Sequence, residues 1–316
     1  PTTFNRDYES LSTDDRLPLF NRATDGVYAP GSTFKLCTAV AALESGIITP
    51  TTTIRDQGVY TYYAYPQPKC WIYRQYGSTH GSINVSQAIT ESCNYFFYET
   101  GRLTGIETID NYATQFGLGR STGIETGDSK GALASPEYAK ANELEWTDGQ
   151  TITAAIGQSY NLFTPIQLAN YVATLVGDGE HYKAHLLKNV KSYDNSSMIY
   201  AYDEGPENTV SISDSTLQAV KEGMYGVANS TLSSQFSRCI VTCGAKTGSA
   251  QVGTDIANGT FVCFAPYDDP QIAVAVVIEK GGSGAALAGV AVDIVNAYFS
   301  REEIGTAIIG ENTLIS

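Results

Sequence analysis

Ser32 and Lys35 stand three residues apart in Pro30-Gly31-Ser32-Thr33-Phe34-Lys35, where an apolar run with helical spacing begins. Positions three apart share one face of a helix, so the hydroxyl and the amine can meet. A serine in a first helical turn also sits where unpaired backbone N–H groups and the helix dipole favour developing negative charge. The chemistry this allows is nucleophilic catalysis, with a neutral Lys35 taking the serine proton. A free lysine titrates near ~10.4 and a base useful at neutral pH needs ~7–8, so the surroundings must supply ~4 kcal/mol. The ordinary alternative is an N-cap serine followed by a solvated lysine. Against it, this is the only Ser-x-x-Lys among the ten lysines, and a Pro-Gly turn presents the serine.

Two further groups could share that site. Ser92-Cys93-Asn94 lies where a loop enters a helix and reads equally as an N-cap. Lys246-Thr247-Gly248 lies on a strand, where a lysine and a hydroxyl can bind a carboxylate and glycine lets a ligand approach the backbone. An edge-strand lysine is its plain alternative. The six cysteines are too few for a disulfide scaffold, and Cys37 and Cys263 read as small buried hydrophobes. Asp56, Cys70 and His80 are conceivable metal ligands, but their spacing matches no compact zinc pattern, so no metal and no cofactor is expected. Gly157-Gln158-Ser159-Tyr160-Asn161 nearly matches a Gly-x-Ser-x-Gly elbow, yet lacks the final glycine and a preceding strand. A triad would need His80, His181 or His185, each of which reads as a surface histidine.

The elements that must position these groups follow from periodicity. The spacing predicts a helix opening at Ser32 and stopping at Ser45-Gly46, with Gly46 in the left-handed cap. The first thirty residues read as polar turns and residues 52–82 as loop. Helices are expected over about 85–89 and 94–103, then a short helix with glycine-rich turns over 106–146, and a helix from Pro165 through Val176. Ser213 N-caps another, carrying Leu217, Val220, Met224 and Val227. Three strands are expected at 245–252, 260–265 and 271–279, joined by turns at 255–259 and 267–270 short enough for antiparallel hairpins. A small-residue helix over 284–299 follows. The fold class is α+β, an α/β sandwich with an antiparallel sheet flanked by helices and an inserted, mostly helical part.

Composition bounds the rest. The 316 residues carry 33 Asp and Glu against 19 Lys and Arg, a formal charge of −14. Nucleic acid is therefore excluded as a main partner, since phosphate contacts need a basic face. No apolar run approaches the ~18 residues of a membrane helix. The chain starts at Pro1 without a signal segment, so it is expected to be a mature or excised piece.

Ser-x-x-Lys, Ser-x-Asn and Lys-Thr-Gly occur in that order, which is the signature of penicillin-binding proteins and class A β-lactamases. The chain resembles the transpeptidase domain of class B penicillin-binding proteins over nearly its whole length. Supporting stretches include Phe20 to Thr24, Tyr28 to Lys35, Gly117-Leu118-Gly119, Thr164 to Ala169, Glu222-Gly223-Met224 and Lys246 to Gln251. Cys70-Trp71 and Tyr95-Phe96-Phe97-Tyr98 look more like the cell-elongation branch than the septal one. The resemblance implies one transpeptidase domain over 1–316, with a sheet part from about 1–50 and 210–316 and a helical part at about 51–209. It implies that Ser32 attacks the penultimate D-alanine carbonyl of a peptidoglycan stem peptide. Lys35 would then be the base, Asn94 would orient it, and Ser92 would relay a proton to the leaving D-alanine. Lys246 and Thr247, with Gly248 beside them, would hold the terminal carboxylate, and the N–H groups of Ser32 and Ser249 would form the oxyanion hole.

An amine of a neighbouring stem peptide would accept the acyl group, and β-lactams would bind covalently at Ser32. Ser249 stands where the family has Thr, and Ser159 where it has Gly. The resemblance further implies the extracytoplasmic face of a bacterial membrane, a glycosyltransferase partner, and an anchor and pedestal outside this chain. A D,D-carboxypeptidase, a β-lactamase or a non-enzymatic β-lactam sensor on the same fold are the alternatives, although no class A-type Glu-x-x-x-Asn element is present.

Overall fold

A computed structural model describes residues 3–251 and 257–304. Helix α1 (Phe4–Ser12) precedes a turn-rich stretch, and a 3-10 turn over Gly31–Phe34 runs directly into α2 (Lys35–Glu44). Strands β1 (Ile54–Arg55) and β2 (Ser82–Ile83) pair antiparallel around α3 (Trp71–Tyr76). Helices α4 (Val85–Thr90), α5 (Asn94–Thr104), α6 (Ile106–Gln115), α7 (Pro136–Ala141), α8 (Asp148–Ala154) and α9 (Pro165–Val176) fill the middle of the chain. Strands β3 (Glu180–His181), β4 (Asn189–Lys191), β5 (Met198–Ala201) and β6 (Asn208–Thr209) follow, β3 pairing with β6 and β4 with β5. Helices α10 (Asp214–Gly226) and α11 (Ser233–Phe236) lead to strands β7 (Gly244–Gln251), β8 (Ala257–Ala265) and β9 (Ile272–Ile278), and α12 (Ala288–Ile304) ends the described chain.

Side-chain alternation sets the central layer. β7, β8 and β9 form one antiparallel sheet in that order, with Lys246 opposite Val262 and Val262 opposite Ala275. On β8, Phe261, Cys263 and Ala265 pack with Ala288, Ala291, Val292 and Val295 of α12, whereas Val262 and Phe264 face the larger core of α2, α5, α9 and α10. Both faces of β8 are buried, so it reads as a nearly continuous apolar run. Full burial of each such side chain contributes ~1.5–3 kcal/mol. The small residues of α12 let that helix lie close to the sheet. The result is the expected mixed α+β sandwich.

The best-marked helices form where their caps predict. Thr164 and Gln167 complete a reciprocal capping box at the start of α9, with Pro165 at the first position. Ser213 Oγ accepts the Thr216 N–H at the start of α10, and Gly46 ends α2 at φ +71°.

Other expectations are corrected. The first thirty residues contain α1, and the 52–82 stretch contains α3 and two strands. Residues 257–259 belong to β8 rather than to a turn, because Gly259 pairs with both Ser249 and Ile278. Val252 and Asp255 lie outside the described residues. The four strands between 180 and 209 had no sequence signal: they are two to four residues long, and β4 and β5 are fully exposed.

Candidate active site

The helix expected to open at Ser32 begins as the tighter 3-10 turn and becomes α-helical only at Lys35. This sets Ser32 half-buried on the turn and Lys35 fully buried beneath it. Lys35 Nζ donates to Ser92 O at 2.8 Å, to Ser92 Oγ at 3.3 Å and to Asn94 Oδ1 at 2.6 Å. Lys246, also fully buried, donates from Nζ to Ser92 Oγ at 3.0 Å and to Thr247 O at 3.2 Å. One hydroxyl therefore bridges two lysines that are 211 residues apart in sequence. Ser32 Oγ has no hydrogen-bond partner among the described residues, so the network is built around Lys35 with the nucleophile candidate beside it.

Two glycines bring the turn and the sheet edge together. A Cβ on Gly31, at φ +54°, would come within 2.9 Å of Ser249 O, and one on Gly248 would come within 2.6 Å of Pro30 O. No other residue permits that backbone contact. Thr247 is half-buried and Ser249 exposed, with Ser249 Oγ accepting the Gly284 N–H at 3.2 Å. Gln158 Nε2 donates to Ser249 O at 3.4 Å, so the turn before Ser159 borders the site. Ser159 itself sits at φ +63°, a left-handed position that favours the glycine expected there.

Ser92 also has a left-handed backbone, at φ +52°. Non-glycine residues in this region cost energy and are held by their surroundings. Here the surroundings are the end of α4 and the start of α5, where Cys93 caps the helix by accepting the Phe96 N–H at Sγ, 3.4 Å away. Burial pushes Lys35 down from 10.5 to about 8, against opposing pulls from Cys93 and Cys70. That shift corresponds to ~3 kcal/mol. Burial, with Lys35 close by, pushes Lys246 well below its ordinary value.

Immediately behind Ser92 lies a second cluster. Asp56, Cys70, His80 and Cys93 each place one donor atom within 4.8 Å of the other three. Cys70 Sγ lies 3.8 Å from Cys93 Sγ and 3.6 Å from His80 Nδ1, and Cys93 Sγ lies 3.8 Å from Asp56 Oδ2. His80 Nδ1 and Asp56 Oδ2 are 2.8 Å apart. Tetrahedral zinc with Zn–S bonds of ~2.3 Å would separate two sulfurs by about 3.8 Å, and a sulfur from a nitrogen by about 3.5 Å. Two thiols, an imidazole and a carboxylate thus have the donor types and spacings of a Zn2+-type site. No compact spacing announces it because the four donors come from separate segments. Cys93, which completes the set, was not considered among the ligands at the level of sequence. Its signal was that it is the middle residue of Ser92-Cys93-Asn94.

His80 and His181 are buried rather than at the surface. The His80 side chain is 3% exposed, and His181 Nδ1 pairs with Thr174 Oγ1 at 2.9 Å. His185 is exposed, as expected, and Cys37 and Cys263 are fully buried.

The model of the penicillin binding protein transpeptidase domain matches residues 1–299. The chain belongs to this family. It is 34% identical over 305 residues to the peptidoglycan D,D-transpeptidase MrdA of Escherichia coli K12, covering 90% of this chain and 47% of that protein. Among solved structures, PBP2 of Pseudomonas aeruginosa in complex with WCK 5153 superposes with a TM-score of 0.82 at 30% identity, covering 93% of this chain and 63% of that one. Penicillin-binding protein A of M. tuberculosis, solved as an imipenem acyl-enzyme, gives 0.79 at 25% identity, covering 95% and 66%. This penicillin-binding-protein chain spans about half the length of the curated relatives it matches.

Proposed function

We propose that this domain is a serine D,D-transpeptidase that cross-links peptidoglycan stem peptides through an acyl-enzyme at Ser32. The observation that carries the reading is the Ser92 hydroxyl held between Lys35 and Lys246, next to Ser32. A proton taken from Ser32 by neutral Lys35 can pass to Ser92 Oγ and on to the leaving amine of the terminal D-alanine. Asn94 fixes Lys35 by accepting its shortest hydrogen bond. Ser32 Oγ attacks the penultimate carbonyl, and the backbone N–H groups of Ser32 and Ser249 stabilise the oxyanion, a contribution of ~3–4 kcal/mol per donor in comparable sites. The substrate carboxylate lies against Lys246 and Thr247, and its charge favours the protonated form of Lys246. Gly248 leaves the strand backbone open to the ligand.

We read the acceptor as an amine of a neighbouring stem peptide and β-lactams as acylating substrate mimics. The names of the relatives support this class of reaction, and the MrdA relatives favour the elongation-type branch. We further read the sheet part as residues 1–50 and 210–316 with the helical part between them. Among the described residues no helix is long and apolar enough to cross a membrane. The extracytoplasmic location and a glycosyltransferase partner belong to this proposal for the longer protein.

Labelled penicillin and intact-mass measurement test it. A stable adduct on Ser32 is expected, with none on Ser32→Ala although that variant folds. Rapid turnover of the adduct would instead indicate a β-lactamase. Lipid-linked substrate then separates cross-linking from carboxypeptidase release of D-alanine and from a silent sensor.

A further inference from the structure

The thiols of Cys70 and Cys93 serve no step of the proposed acylation, yet both are fully buried and 3.8 Å apart. The other close thiol pair, Cys239 and Cys243 at 3.4 Å, is not among the donor clusters found in the described residues. Cys70 and Cys93 do have an imidazole and a carboxylate beside them. Asp56 is fixed for that task, accepting the N–H groups of Gly58 at 2.8 Å and His80 at 3.0 Å. His80 Nε2 is buried without a partner among the described residues.

We propose that Asp56, Cys70, His80 and Cys93 form an exchangeable Zn2+-type site, and that oxidation of its two thiols to a Cys70–Cys93 disulfide releases the ion and disables the Ser92–Asn94 motif. The coupling is covalent: Cys93 is flanked by the two residues whose oxygens hold Lys35. A disulfide requires sulfurs ~2.05 Å apart, so closing the bond draws the Cys93 and Cys70 sulfurs ~1.8 Å closer. The Cys93 sulfur then leaves the Phe96 N–H that it caps, and the left-handed Ser92 peptide turns with it. Ser92 O and Asn94 Oδ1, at 2.8 and 2.6 Å from Lys35 Nζ, have no slack for such a movement. With the ion bound, the same four groups are held apart at tetrahedral spacing and the motif is braced.

The oxidant is a hydroperoxide. One thiolate attacks the O–O bond, forming a sulfenic acid and releasing hydroxide. The second sulfur attacks that sulfenic sulfur, forming the S–S bond and expelling the remaining oxygen. Two sulfurs lose two electrons in all, and hydrogen peroxide with two protons becomes two waters. The ion keeps its oxidation state and is left with only Asp56 and His80. A cleft of about 450 Å³ lined by His80, Ile83, Ser86, Gln87, Thr90 and Glu91 gives so small an oxidant a way to the imidazole side of the cluster.

The switch rests on the proposed acylating role of Ser32 only for its last readout. The reduced protein, stripped with a chelator and given Zn2+ alone, is expected to take up one ion per chain. Hydrogen peroxide is then expected to release that ion and to yield a Cys70–Cys93 linked peptide two hydrogens lighter. Labelling of Ser32 by penicillin should fall at least tenfold in step, and a thiol reductant with Zn2+ should restore it. Cys70→Asp keeps four donors but removes the second thiol, so its metal and its labelling should resist peroxide. Cys70→Ser, which cannot form the disulfide, serves the same end if Cys70→Asp does not fold. No Zn2+ uptake, no Cys70–Cys93 peptide, or equal peroxide sensitivity in these variants would overturn the switch. Absence of Ser32 labelling before any oxidation would sink the acylation reading instead, leaving the metal and disulfide readouts to decide the switch.

Discussion

Lys35 Nζ is surrounded by three neutral oxygens and the face of Phe97, 5.5 Å from the ring centre. Nothing there repays the desolvation of a full positive charge, which is why the amine is a base near neutrality. With its value at about 8, acylation by penicillin should rise tenfold per pH unit below that point and level off above it. The sign for stability follows from the same shift. Between about 8 and 10.5 the unfolded chain binds the proton that the folded chain has released, so stability rises with pH there. Lys35→Met should therefore be more stable than wild type at pH 7, with the gap narrowing by up to ~3 kcal/mol toward pH 10 in denaturant titrations. A pH-independent gap would mean that Lys35 stays charged. The three chemical motifs were legible in sequence because each is local. The bridging of Lys35 and Lys246 by Ser92 was not, since it joins three segments through side-chain reach alone. The buried histidines were misread for the same reason: His80 is drawn inward by Asp56 and Cys70, and neither partner is adjacent to it in sequence.

Among the elements, those with a periodic apolar face and a cap were legible: α9 ends at the expected residues, and β7 to β9 hold the expected order. Elements without such marks were not. α3 is six residues long and α1 buries none of its side chains. The approach of β7 to the Ser32 turn has a specific cost attached. Gly248→Ala places a methyl group 2.6 Å from Pro30 O, where only backbone can give way. It should cost ~1–3 kcal/mol in thermal unfolding and nearly abolish acylation. Gly46→Ala is the control: its φ of +71° is equally left-handed, but nothing lies within 4 Å. It should cost ~1–2 kcal/mol while leaving acylation intact. Equal loss of acylation in both would show that the close approach does not matter.

At the scale of the whole molecule, a charge of −14 surrounds a site that must receive an anion. The long-range field opposes the approach of a carboxylate, whereas Lys246 and the Ser32 turn attract it only at short range. Salt screens the first effect more than the second, because the Debye length falls from ~30 Å at 0.01 M to ~8 Å at 0.15 M. Raising ionic strength should therefore speed acylation by an anionic penicillin, reversing the usual trend for steered encounters. A rate that falls with salt would place more positive charge around the mouth than the composition suggests.

The backbone contact between Gly31 and Ser249, and between Gly248 and Pro30, also makes the site a ruler. The nucleophile's turn and the strand that receives the carboxylate are clamped to each other, so the span between them cannot be adjusted to the ligand. What the site measures is the distance from a reactive carbonyl to a carboxylate. A penicillin analogue with one more methylene between those two groups should label Ser32 far more slowly, even though every chemical group it carries is unchanged.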